Sequence, residues 1–106
     1  MEYLLIFSTC PDHPTAEKIA RQLINEKLAA CVNILPGLTS VYHWQGEIET
    51  ASECLLMAKT EKRHYQSVES TIQNLHPYEL PEIIAVSIDR GLPEYLQWIN
   101  SCVSTK

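Results

Sequence analysis

Apolar periodicity that switches repeatedly between two and 3.6 residues predicts an α+β sandwich, one sheet layered with helices. Three observations carry that reading. Two short runs of successive apolar residues, YLLIFST near the start and EIIAVSI near the end, have the length and content of buried strands. Three further stretches place apolar residues at helical spacing. In the middle, a long extended pattern is broken by Gln45 and Gly46, a hairpin-turn dipeptide.

Residues 3–9 read as the first strand. CPDHP breaks it: Asp12 and Pro14 are helix-start residues, and Ala16, Ile19, Ala20, Leu23 and Ile24 then share one helical face. AACVNIL returns to strand character, Pro36 and Gly37 interrupt it as a bulge or bend, and TSVYHW resumes it. After the turn, residues 47–60 run back, alternating Ile48, Thr50, Ser52, Cys54 and Leu56 with the opposite face. From Lys62, the spacing of Tyr65, Val68, Ile72 and Leu75 predicts a helix. It must end at His76, because a residue before proline is pushed out of the α region. EIIAVSI is another buried strand. Leu92, Tyr95, Leu96, Ile99 and Cys102 make a last amphipathic helix with Pro93 in its first turn. The order is β-α-β-β-α-β plus a C-terminal helix, a ferredoxin-like sandwich with an extended central hairpin.

The 106 residues suit a single domain, 1–106, and 45% apolar residues is ordinary for a globular chain. A net charge of −5 with scattered Lys and Arg argues against nucleic acid and anionic membrane as partners. MEYLLIFSTC lacks the basic start and cleavage site of an export signal, and no apolar run is long enough to span a bilayer. Cys10, Cys31, Cys54 and Cys102 are widely spaced with no C-x-x-C pair, so free thiols and a cytoplasmic location are expected.

Two features predict an oligomer. Hairpin arms of about 14 residues would run roughly 45 Å at the usual rise of a strand. A compact chain of this size has a radius of gyration of roughly 13 Å, so the hairpin should project past its own core, exposing Val41, Tyr42, Trp44 and Ile48. The two runs of successive apolar residues also ask for cover on both sheet faces. The alternative is a bent hairpin folded over its own sheet.

Candidate chemistry is sparse. Cys10 and His13 stand at C-x-x-H spacing, with donors that suit copper or zinc better than magnesium or calcium. A soft-metal loop would need two thiols at close spacing, which the sequence lacks. In HPYELPEIIAVSI, His76, Glu79 and Glu82 cluster in a loop stiffened by Pro77 and Pro81. A helix C-terminus would favour the imidazolium form of His76, against metal binding. Tyr78 offers a ring for packing and a hydroxyl that needs a partner. Lys59, in LLMAKT, reads as a snorkelling strand-end lysine or an anion contact; Tyr42 and Trp44 read as interface packing or a ligand-stacking pair. There is no G-x-S-x-G, no phosphate-cradling glycine loop and no H-E-x-x-H, so no catalytic residue is assigned and an enzyme is not expected.

EKLAACVNILPG, SVYHWQGEIE, LLMAKT, HPYELPEIIAVSI and YLQWIN together resemble the CutA divalent-cation-tolerance family over nearly the whole chain. The resemblance implies a ferredoxin-like subunit in a homotrimer closed by extended hairpins, similar to P-II signalling proteins, with copper or another divalent cation as ligand and none required for folding. It implies a metal site with a first-strand cysteine and two histidines before PY. In this chain Ser8 holds the cysteine's position, Cys10 lies two residues later, Leu75 replaces the first histidine, and His76 matches. The expected metal ligands are His76, Cys10 and Glu82. An alternative is a P-II-like trimer binding a small anion or protein in an inter-subunit cleft built from Lys59, Tyr42, Trp44 and Tyr78.

Overall fold

Strand β1 (Tyr3–Cys10) is central in a four-stranded antiparallel sheet whose order is β2-β3-β1-β4, in a computed structural model that describes residues 2–104. The outermost residues of the expected 1–106 domain lie outside that range. Burial along β1 alternates strictly, with Leu4, Ile6, Ser8 and Cys10 turned to one face. That face is covered by α1 (His13–Asn25) and α2 (Tyr65–Leu75), which contribute Ala16, Ile19, Leu23, Val68 and Ile72 to one core with Leu56 and Ala58 of β3 (Glu47–Glu61). The predicted ferredoxin-like layering is therefore present.

Local signals set the element ends. The Asp12 carboxylate accepts the Thr15 N–H at 2.9 Å, an N-cap with Pro14 in the first turn of α1. That bond holds the Asp12 carboxyl below its ordinary value. β2 (Cys31–Trp44) pairs with β3 through a register shift between Leu35 and Leu38, with Gly37 at φ 79°, so Pro36 and Gly37 form the expected bulge. Gln45 and Gly46 both have positive φ, 51° and 83°, as a two-residue primed turn requires. A single 3₁₀ turn (Lys62–His64) precedes α2, and α2 stops at Leu75, one residue ahead of the His76–Pro77 step.

The hairpin projects as expected. β1 accompanies β3 only as far as the Cys10–Cys54 pair; beyond it β2 and β3 continue alone to the turn. The chain measures 45 × 25 × 22 Å, and residues 41–50 are all exposed.

Two expectations need correction. The last strand, β4, spans only Ile84–Ser87 and is exposed at all four positions, not buried. It is an edge strand paired on one side to Leu4–Phe7, and among the described residues no strand pairs with its other side. The last helix, α3 (Pro93–Val103), buries Ile99 and Val103, while Leu92 and Tyr95 of the predicted face stay exposed. α3 lies across the sheet face opposite α1 and α2, at the far end of β3, where Lys59 Nζ meets Tyr95 Oη at 3.4 Å and Asn100 Nδ2 donates to Glu61 at 2.5 Å. Its C-terminal carbonyl, Val103 O, accepts from His64 Nε2–H at 2.8 Å and from Arg63 at 3.4 Å, which satisfies a group the helix itself leaves open.

Candidate functional site

The site forms where the sheet edge ends early. Hydrogen bonds along a strand alternate sides, and Ile88 N–H donates to Tyr3 O, so the odd residues of β1 face β4. β4 begins at Ile84, opposite Phe7, leaving the Thr9 carbonyl without a strand partner. His76 takes that carbonyl: its Nε2–H donates to Thr9 O at 2.8 Å. Its other nitrogen, Nδ1, accepts the Tyr78 backbone N–H at 3.2 Å.

The donors decide the tautomer. A carbonyl can only accept and an amide N–H can only donate, so the ring carries its proton on Nε2 and none on Nδ1. Both ring nitrogens at the end of α2 are thus engaged by backbone groups. His76 is 8% exposed and packs on the Tyr78 ring with centroids 4.7 Å apart.

Tyr78 carries the site forward. Its Oη donates to Glu53 Oε2 at 2.6 Å, and Glu53 is 6% exposed. Burial, then the Glu53 bond and charge, push the phenol well above its ordinary value, so it stays a donor. Glu82 Oε1 accepts from the Thr9 hydroxyl at 3.4 Å. Together with the hairpin, these groups bound a cleft of about 550 Å³. Thr9, Glu53, Tyr78, Glu79 and Glu82 form its polar side; Val41, Tyr42, Trp44 and Leu80 form its apolar wall. Three carboxylates line it and, among the described residues, no Lys or Arg does.

Among the expected site residues, Tyr42, Trp44, Tyr78 and Glu82 meet in this cleft. Lys59 does not: it stands at the other end of β3, with its Nζ 5.6 Å from the Tyr95 ring centroid. His76, Cys10 and Glu82 are not gathered into a metal centre. Both His76 nitrogens are engaged, Glu82 is exposed, and Cys10 is fully buried on the helix-covered face. Burial, then Cys54, Glu53 and Asp12, push the Cys10 thiol up to about 11. His13 is exposed, 3.7 Å from Glu17. No group of three or more His, Cys, Asp or Glu among the described residues is placed to hold a metal ion. Glu53 and Thr9 were missed, since only pairing across β1 and β3 brings them beside Tyr78, and no local sequence signal announces that.

The family model of the CutA1 divalent ion tolerance protein matches residues 4–102. The divalent-cation tolerance protein CutA of Thermus thermophilus is 45% identical over 96 residues, which is 91% of this chain and 93% of that protein. Protein CutA of Mus musculus is 43% identical over 94 residues, 89% of this chain; the chain spans about half the length of the mouse and human relatives, 53% and 52%. The crystal structure of CutA from Xylella fastidiosa is 53% identical with a TM-score of 0.95, covering 98% of this chain and all of that one.

Proposed function

The chain belongs to the CutA1 divalent ion tolerance family, and from that premise we propose that it is a non-catalytic homotrimer taking a divalent cation weakly in the cleft at the hairpin base. The observation that carries this reading is the lining of that cleft. Glu53, Glu79 and Glu82 line it with the Tyr78 hydroxyl, not drawn together around one point, and no Lys or Arg among the described residues offsets their charge. Two contacts support the weak affinity in this reading. Glu53 is already committed to Tyr78, and His76 would have to surrender a backbone hydrogen bond before ligating copper or another ion. Within one chain Lys59 lies at α3, apart from this lining, so the P-II-like alternative would need Lys59 to come from another subunit.

Association is supported by apolar surface that the chain leaves open: Val41 and Ile48 near the hairpin tip are 67% and 72% exposed, with Ile84 and Val86 at the β4 edge. Three copies is what the resemblance implies. All four cysteines are free thiols, which suits a reducing compartment, so we place the protein in the cytoplasm. Among the described residues, no helix is long and apolar enough to cross a membrane.

The test uses Trp98→Phe protein, so that Trp44 in the cleft is the remaining tryptophan of two. Metal-free samples are titrated with Cu(II), and separately with Mn(II), while Trp44 emission is followed. Glu82→Gln combined with Glu79→Gln should weaken binding tenfold or more. Unchanged affinity in that variant removes the carboxylates from the site, and a loss confined to His76→Ala transfers the site to His76. Sedimentation equilibrium reads the assembly; a monomer at micromolar concentration would sink the trimer.

A further inference from the structure

Strand register joins two cysteines that the sequence keeps far apart. Cys10, the last residue of β1, is the direct cross-strand partner of Cys54 on β3. Both side chains belong to the helix-covered core cluster, at 0% and 7% exposure, and both are free thiols. The pairing type can be worked out. Lys62 N–H donates to Glu2 O at 2.9 Å, and hydrogen-bonded pairs recur at every second step of an antiparallel ladder. Counting along the register through Leu4–Thr60, Ile6–Ala58 and Ser8–Leu56 makes Cys10–Cys54 a hydrogen-bonded pair.

That distinction selects the chemistry. In such a pair the Cα atoms stand about 5.5 Å apart and the Cβ atoms lie at the wide end of about 4.5–5.5 Å. A disulfide draws its Cβ atoms to about 3.8 Å, so direct S–S bonding would require the ladder to be squeezed. Two sulfurs bridged by one metal ion need more room: bonds of about 2.3 Å each, in line, set them about 4.6 Å apart. We propose that Cys10 and Cys54 form a two-thiolate clamp for a soft, thiophilic divalent ion, with Hg(II) as its linear two-coordinate case.

Charge balance favours a divalent ion over a monovalent one in this buried setting. Each thiol gives up its proton as a metal–sulfur bond forms, so two protons leave as two positive charges arrive. The clamp is neutral before and after, which avoids the cost of burying a net charge. A monovalent ion would leave a negative complex beside the Asp12 and Glu53 carboxylates, whose charges already bear on Cys10. A second observation points to the same spot. Ser8 Oγ is fully buried and is the one buried side-chain N or O atom without a hydrogen-bond partner among the described residues. It lies two residues before Cys10, on the same helix-covered face of β1.

The clamp does not rest on the carboxylate cleft, and the tests separate: Cu(II) and Mn(II) report on Glu79 and Glu82, Hg(II) on the cysteines. In Cys31→Ser/Cys102→Ser protein the pair is intact and no other cysteine remains. With one equivalent of Hg(II), X-ray absorption should show two sulfur scatterers per metal, sedimentation should show the unbridged assembly state, and two protons should be released per ion. Adding Cys54→Ser should leave one sulfur and lower affinity against glutathione by a hundredfold or more. One sulfur per metal in the pair-containing protein overturns the clamp whether or not the triple variant folds. Equal affinity in a folded triple variant overturns it as well, and so does a Cys10–Cys54 disulfide recovered from the aerobic native protein.

Discussion

From Cys54 to Thr60, every second residue of β3 is at most 7% exposed, whereas from Glu47 to Thr50 every residue is exposed. Both halves belong to one strand, and both pair with β2. They differ in what lies around them. The first half has β1 on its other edge and α1 and α2 above it; the second half has neither. An alternating pattern specifies which side chains share a face, and leaves open whether anything covers that face. The exposed half carries Ile48 across from His43, and Val41 across from Thr50, in a two-stranded ribbon that is marginal by itself in water. The ribbon therefore asks for a partner, and the buried half does not.

The largest test of this contrast is truncation on each side of it. Leu56→Ala should cost about 2–5 kcal/mol in urea unfolding, because it empties a fully buried position. Ile48→Ala should leave the free chain within about 0.5 kcal/mol, as an exposed substitution does. Its cost should emerge only as protein concentration, and with it association, rises. A concentration-independent loss at Ile48 equal to that at Leu56 would break the comparison.

The junction between the two halves is held by His76 and Tyr78. His76→Ala should cost about 2–4 kcal/mol in the same measurement, since the Thr9 carbonyl and the Tyr78 amide both lose their partner in a nearly closed site. A loss below about 0.5 kcal/mol would show that solvent already reaches the sheet edge there. Tyr78→Phe should cost about 1–3 kcal/mol by leaving the buried Glu53 carboxylate without its 2.6 Å donor.

At the other end of β3, burial pushes the Glu61 carboxyl up, but bonds from Asn100 and Arg63, with the Arg63 and His64 charges, outweigh it and hold it below its ordinary 4.5. A depressed carboxyl stabilises the fold above the unfolded value. Stability contributed by Glu61 should therefore be complete above about pH 4.5 and lost as pH falls through the folded value. Glu61→Gln should flatten that acid slope; an unchanged slope would assign it to other carboxylates. The smallest effect belongs to Ser8→Ala, which removes an unpaired buried hydroxyl and should be neutral or stabilising by about 1 kcal/mol. A clear destabilisation would mean that Ser8 has a partner.

Much of the fold is legible in local chemistry. Asp12 and Pro14 start α1, Gln45 and Gly46 turn the hairpin, Pro36 and Gly37 bulge it, and Pro77 ends α2. Each signal acts within a few residues and needs no distant contact. The site was less legible. Tyr42, Trp44, Tyr78 and Glu82 were singled out and do share a cleft, but its most buried carboxylate, Glu53, sits in an unremarkable alternating strand. Lys59 was grouped with the aromatics, and strand length carries it to the opposite end of the molecule, beside Tyr95.

By itself the sequence determined the order and type of the elements, the hairpin's length and the family, because periodicity, caps and turn residues act through neighbours along the chain. Tertiary structure alone decided that Ile84 and Val86 lie on an open edge, that His76 spends both nitrogens on backbone, and that Cys10 meets Cys54. Those outcomes depend on sheet order and register. Each is set by the summed packing of the whole core, so no short stretch of residues carries it.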